Sequence, residues 1–289
     1  MVSTAQLGMF VLVVGTAAGT LGCPSTGSHS HSHSPSREPE PAPRACPSPS
    51  YKILDLTHPL HAGAPVWPGG VPFEKKLLAD YPDGYRVHEL HMGENVGTHV
   101  DAPSHFVEGA RGIDALAPEE LVVPVVVIDV SKKVQDDPDY AISGNDIVDW
   151  EDAFGPVPVG GVVLAYTGWG SKYPNPKAYL NQDDQGVMHF PGFGADAAAM
   201  LVERDVAGIG IDTLSLDPGN STEFSTHRQM LKAGKYMIEN VANIERMPTT
   251  GAIIIVGVVP IADGTQAPAR VLALVPEGVA SESAEGEGS

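Results

Sequence analysis

The chain has 289 residues, of which 42% are hydrophobic and 18% charged, and its formal net charge is −19. This is the composition of a globular protein with one large domain or two small ones. The acidity argues against nucleic acid or an anionic lipid surface as a partner, since both would repel the chain.

Residues 9–23, MFVLVVGTAAGTLGC, form an apolar run that passes into small residues, as in the core and cleavage zone of an export signal. The preceding residues carry no Lys or Arg. The run is too short and too rich in Gly and Ala for a membrane span, so no transmembrane domain is expected. Segment 1–23 is therefore read as signal-like and the protein as secreted or otherwise extracytoplasmic. Cys23 is a candidate lipid anchor of the bacterial lipoprotein kind, although Thr20 stands where leucine is usual. Residues 24–50 are a linker rich in Pro, Ser and His, expected to be extended. Its His29, His31 and His33 form either a solvated tract or a weak metal scavenger. The two cysteines, Cys23 and Cys46, lie outside the expected domain. They pair after export, or Cys23 is lipidated; neither belongs to a CxxC site.

The domain is expected over residues 51–275. Apolar runs at 121–130, 160–166, 206–212, 251–259 and 269–275 are continuous rather than alternating, which predicts strands buried on both faces. Residues 194–205 have Ala-rich helix propensity. Residues 225–234 begin with a Ser/Thr cap candidate and end at Gly234, a helix stop. Asn220, Ser221 and Thr222 make a lone glycosylation sequon, meaningful only in a eukaryotic secretory host. The acidic tail 276–289 has almost nothing to bury and is expected to be disordered. The prediction is a single α/β domain with more strand than helix, without internal repeats.

The chemistry concentrates in residues 95–106, NVGTHVDAPSHF. In an extended segment His99 and Asp101 point to the same face. Both are ligands for Zn²⁺ or Mn²⁺ at neutral pH. Gly97 lets the backbone bend, and Pro103 stiffens the exit. His105 can return to the site if the chain turns after Asp101, where an imidazole suits proton transfer. The ordinary alternatives are a surface histidine and a capping aspartate. Further ligands are sought downstream. From His227, about 10 Å of helix leads to Gly234. About 16 Å of strand then brings Glu239 back to the level of His227. A Glu exposed on a strand is the ordinary alternative there.

GTHVDAPSHF resembles the H-x-G-T-H-x-D-x-P-x-H signature of the cyclase family of metal-dependent hydrolases, which includes bacterial kynurenine formamidase and isatin hydrolase. DLTHPLHAGAPVWPG (55–69), YTGWG (166–170), GIDTLSLDP (210–218), STHRQMLKAGKYMIEN (225–240) and ADGTQAPARVLAL (262–274) also agree. The resemblance implies a β-rich, three-layer β/β/α fold of the swivelling type. It implies a Zn or Mn site with ligands His99, Asp101, His227 and Glu239, and His105 as the catalytic proton-transfer group. The chain departs from the signature at its first histidine, here Asn95. An amide oxygen is a harder and poorer ligand than imidazole. Position 95 is thus a weakened metal ligand or a substrate contact. The family also implies a homo-oligomer.

The expected activity is metal-dependent hydrolysis of an amide-type C–N bond in a small aromatic substrate, such as the aryl formamide N-formylkynurenine of tryptophan catabolism. The chain has no G-x-S-x-G motif and no cysteine within the domain to serve as nucleophile. Trp67, Tyr166 and Trp169 are candidates to stack on the substrate ring. The export signal sits awkwardly with a cytoplasmic pathway, which leaves room for a cyclic amide or lactone of the isatin hydrolase kind. A catalytically silent metal- or ligand-binding protein is the remaining alternative, with Asn95 as its support.

Overall fold

In the computed structural model of the chain, residues 50–277 are described. The signal-like segment, Cys23, Cys46, the histidines of the linker and the tail beyond Glu277 lie outside the described residues. Eight strands form the main sheet: β1 (Tyr51–Asp55), β2 (His99–Asp101), β3 (Val122–Asp129), β4 (Val162–Tyr166), β5 (Gly208–Ile211), β6 (Tyr236–Glu239), β7 (Ala252–Val258) and β8 (Gln266–Pro276). Their order is β1-β8-β7-β3-β4-β5-β6-β2, and β8 also pairs with β2. The sheet therefore closes on itself as a ring of seven strands, with β1 pairing along the second half of β8 on the edge that β2 takes in the first half. The pairs β3–β4, β4–β5 and β5–β6 are parallel, and the remaining pairs are antiparallel.

The ring has two faces, and alternate residues take opposite ones. Val125 and Val127 of β3, Leu164 of β4, Ile238 of β6 and Val271 of β8 belong to one apolar cluster, inside the ring. Val126, Ile128, Val163, Ile209 and Met237 belong to a second, on the outer face. This double burial explains the unbroken apolar runs of the sequence. On β5 small residues face the interior: a Cβ on Gly210 would lie 2.6 Å from Leu164 Cδ2 of the interior cluster.

The three longest helices among the described residues lie on the outer face: α1 (Gly144–Phe154), α2 (Ala195–Glu203) and α3 (Ser225–Lys232). They contribute Ile147, Trp150, Ala198, Leu201, Met230 and Leu231 to the outer cluster. α2 and α3 lie where the sequence predicts helices. α1 is not expected from the sequence, because Gly, Asn and Asp dilute its apolar spacing. Its signal is nevertheless present: Ser143 and Asp146 form a reciprocal capping box, and Gly155 ends the helix.

The start of α3 corrects the expected cap. Phe224, not a Ser or Thr, is the cap residue, held at φ 50°. The Asp217 carboxylate satisfies the exposed helix donors instead, accepting from Thr226 N at 2.9 Å and His227 N at 3.1 Å. A carboxylate there also meets the positive end of the helix dipole. Gly234, at φ 77°, lies just past the end of α3, as predicted.

Strands Glu74–Ala79 and Val87–His91 form a separate hairpin inserted between β1 and β2. Its Leu77, Leu78, Val87 and Leu90 are exposed, as are Tyr81 and Tyr85 in its turn. Among the described residues no helix is long and apolar enough to cross a membrane.

Candidate metal centre and substrate cavity

β2 carries the first two candidate ligands. Val100 faces the ring interior, so His99 and Asp101 face outward beneath α3. β6 lies antiparallel to β2 with Glu239 opposite His99. His227 enters from the first turn of α3. All four side chains are buried.

Imidazole and carboxylate alternate around a closed circuit. His99 Nε2 is 3.4 Å from Asp101 Oδ1 and 3.2 Å from Glu239 Oε2. His227 Nε2 is 3.4 Å from Asp101 Oδ2 and 3.3 Å from Glu239 Oε1. Ligand atoms about 2.0–2.2 Å from a tetrahedral zinc stand about 3.3–3.6 Å apart, and each of these four contacts is near that spacing; ligand atoms of His99, Asp101 and Glu239 lie within 4.8 Å of one another, as do those of Asp101, His105 and His227. The opposite nitrogen of each ring is already engaged. His99 Nδ1 donates to the Gly97 carbonyl at 2.9 Å, and His227 Nδ1 lies 2.6 Å from Asp217 Oδ2. Each ring therefore turns its Nε2 lone pair inward, the arrangement of a metal-binding histidine.

The electrostatics fit a cation. His99 Nε2 and Asp101 Oδ2 are buried without a hydrogen-bond partner among the described residues. Burial opposes charge on His99, but Asp101 and Glu239 outweigh it and raise the imidazole to about 10. His227 is raised well above its ordinary value by Asp101, Asp217 and Glu239 against the same cost. Burial pushes Asp101 up, while His227 and His99 hold it far below the usual carboxylate range. Two buried carboxylates at one point demand positive charge. Protons on the imidazoles answer that demand, and a divalent ion answers it while leaving the imidazoles neutral.

A cavity of about 220 Å³ opens onto this centre. His227 and Glu239 lie in its wall with His105, Asn95, Ser215 and Gln266, and Trp67, Phe106 and Phe224 supply the apolar surface. Trp67 and Phe224 have ring centroids 6.1 Å apart, and Phe106 and Phe224 5.8 Å. These rings make an aromatic slot beside the polar centre. His105 sits at the end of the turn Pro103–His105, half-buried, with its ring edge-on to Phe106. It also comes within reach of Asp101 and His227.

The structure thus brings together His99, Asp101, His227 and Glu239, and it places His105, Asn95 and Trp67 in the adjoining cavity. It puts Trp169 elsewhere. That ring is buried in the outer core, its Nε1 donates to the Tyr179 carbonyl at 2.8 Å, and it does not line the cavity. Tyr166 packs beside the ring interior and is likewise absent from the cavity wall.

Several contributors are not picked out in the sequence. Gln266 is the register partner of Asp101 and donates Nε2 to its Oδ1 at 2.8 Å. Asp217 orients His227, and Leu216 N donates to Glu239 Oε1 at 3.3 Å. Both stretches, GIDTLSLDP and ADGTQAP, agree with the family pattern, but only tertiary pairing gives their polar residues a role.

The chain is similar to several known proteins. The sequence profile of the Cyclase family matches residues 54–218. An isatin hydrolase of Roseibium aggregatum is 34% identical over 194 residues, covering 64% of this chain and 73% of that protein. A kynurenine formamidase of Bacillus cereus is 28% identical over 190 residues, covering 65% and 81%. The crystal structure of an isatin hydrolase bound to the product analogue thioisatinate superposes with a TM-score of 0.75 at 29% identity, covering 78% of this chain and 93% of that one.

Proposed function

This chain belongs to the Cyclase family, and from that premise we propose that it is a metal-dependent amidohydrolase acting on a small aromatic substrate. The reading rests on the buried circuit of His99, Asp101, His227 and Glu239, two of whose members, His227 and Glu239, line an aromatic slot. These four residues would hold the ion, Zn²⁺ or Mn²⁺. When bound, such an ion polarises a carbonyl and acidifies water.

The chain's own groups supply the rest. Trp67, Phe106 and Phe224 receive the substrate ring and exclude water from its faces. Ser215, Gln266 and Asn95 offer polar contacts on the cavity wall. His105 takes a proton from the attacking water and passes it to the leaving nitrogen, so that the amine departs neutral. Asp217 and the Gly97 carbonyl hold His227 and His99 in the orientation needed throughout.

The cavity's size bears on the substrate. At about 220 Å³ it lies below the range of roughly 300–1,000 Å³ typical of sites for drug-sized ligands. A compact fused ring suits it better than an aryl formamide with an amino-acid side chain. A cyclic amide such as isatin is therefore the first candidate, and N-formylkynurenine the second. The test is hydrolysis of both by purified, metal-loaded protein. Turnover of a cyclic amide at a rate well above the uncatalysed one is expected. Inertness toward both would overturn the reading and favour a silent binding protein.

The same proposal includes a homo-oligomer. A two-stranded hairpin is marginal alone in water, and the exposed Leu77, Leu78, Tyr81, Tyr85 and Leu90 give this one apolar surface for a second copy. It also includes the three-layer β/β/α reading, since the helices, the half-ring beneath them and the far half-ring would supply the three layers. Export is part of it too, supported by the apolar run 9–23, with Cys23 as the anchor or a partner for Cys46.

A further inference from the structure

The two strands that carry His99 and Glu239 are joined beside those ligands by a contact that touches neither carboxylate. Asn240 follows Glu239 directly and is fully buried. Its side-chain Nδ2 donates to the Gly97 carbonyl at 3.0 Å. The same carbonyl receives Nδ1 of His99. In return, Thr98 Oγ1 donates to the Asn240 carbonyl at 2.6 Å. The Gly97–Thr98 peptide is thus gripped at two points by one residue. A third contact touches the amide itself: Tyr179 Oη lies 2.9 Å from Asn240 Oδ1 and 2.9 Å from the Asp212 carbonyl oxygen, and its one proton is shared between these two acceptors. The Gly97 carbonyl settles which end of the amide faces it, because a flip would set Oδ1 against that oxygen.

The backbone points the same way. Asn240 stands at φ 53° and Gly97 at φ 72°. The left-handed region is uncommon for a residue with a side chain, and Asn is among those that tolerate it best. Both turns lie where β6 ends and β2 begins, next to the Glu239–His99 pair.

We infer that Asn240 is a positioning residue that sets the orientation of the His99 ring and its register against Glu239 before any ion arrives. It rests on the metal-site reading above. Asn240 acts through the Gly97 carbonyl, which fixes where the His99 Nδ1–H points and so where Nε2 presents its lone pair. Tyr179 stands behind it and steadies the amide oxygen.

The test is zinc titration of the full chain after chelation, for the wild type, Asn240→Gly and Tyr179→Phe, under conditions where each is folded by circular dichroism. Glycine accepts the backbone conformation of Asn240. Tyr179→Phe leaves Asn240 in place and removes the hydroxyl that meets its Oδ1. Hydrogen-bond partners of metal-binding histidines are typically worth about 10–100-fold in affinity. A loss of that order is expected for Asn240→Gly, with a smaller loss in the same direction for Tyr179→Phe. In the zinc-loaded proteins the His99 Nδ1–H proton, followed by ¹⁵N-edited NMR, should exchange faster in both variants. Unchanged zinc affinity and unchanged Nδ1–H exchange in folded variants would overturn the inference while leaving the metal site standing. Absence of zinc binding by the wild type would overturn the metal site and the inference with it.

Discussion

Glu239 stands opposite His99 across two antiparallel strands, and its Oε2 comes within 3.2 Å of the His99 Nε2. The sequence separates these residues by 140 positions. Strand register alone makes them neighbours, and the carboxylate completes a site whose other members come from β2 and α3.

A ligand that binds only the folded chain raises its stability by about 2.7 kcal/mol at 100 times its Kd. Zinc should therefore raise the melting temperature of the chelated protein by several degrees. Glu239→Gln keeps the shape of the side chain and removes its charge, and it should remove most of that rise. Differential scanning calorimetry with and without zinc checks this; an equal rise in both proteins would take Glu239 out of the site.

His105 is half-buried, against the tighter burial of the four circuit residues, and it lines the cavity. His105→Ala should keep bound zinc at the wild-type ratio while kcat falls about 10²–10⁴-fold. Metal analysis of the purified variant beside its kinetics decides the role. Loss of the metal would make His105 a ligand rather than a proton carrier.

Asn95 lines the cavity that His227 and Glu239 also line. Imidazole binds zinc more tightly than an amide oxygen does. Asn95→His should raise zinc affinity or stoichiometry in a titration of the chelated protein. Identical isotherms would leave Asn95 as a wall of the substrate cavity only.

Asp212 gives a pH signature away from the metal. Burial, outweighing hydrogen bonds from Thr167 and Gly170, raises its carboxyl from an ordinary 3.8 to about 6. The folded state then holds the proton more tightly than the unfolded one. The stability this confers is complete below pH 3.8 and is lost as pH rises through about 6. Relative to Asp212→Asn, the wild type should lose on the order of 2–3 kcal/mol between pH 4 and pH 7. Urea unfolding of both proteins at several pH values measures the difference, and a flat difference would contradict it.

Much of this site is legible in the sequence because its local part is local. His99 and Asp101 share a face by strand periodicity, His105 follows a proline turn, and Gly234 marks the reversal that brings Glu239 back. What the sequence hides depends on pairing between distant strands. Gln266 reaches Asp101 only because β8 closes the ring against β2. Asp217 caps α3 and orients His227 from outside the helix, so no helix-start pattern near residue 225 could reveal it. Trp169 shows the converse: an aromatic residue in a family motif is as much at home in the core as at a substrate, and here Tyr179 takes its indole donor.

Metal dependence is decided by hydrolysis of isatin by one preparation carried through chelation and reconstitution. The purified protein should carry at least one zinc or manganese per chain, lose hydrolysis when the ion is removed, and recover it when the ion is restored. Full activity in protein verified to be free of metal would contradict that dependence.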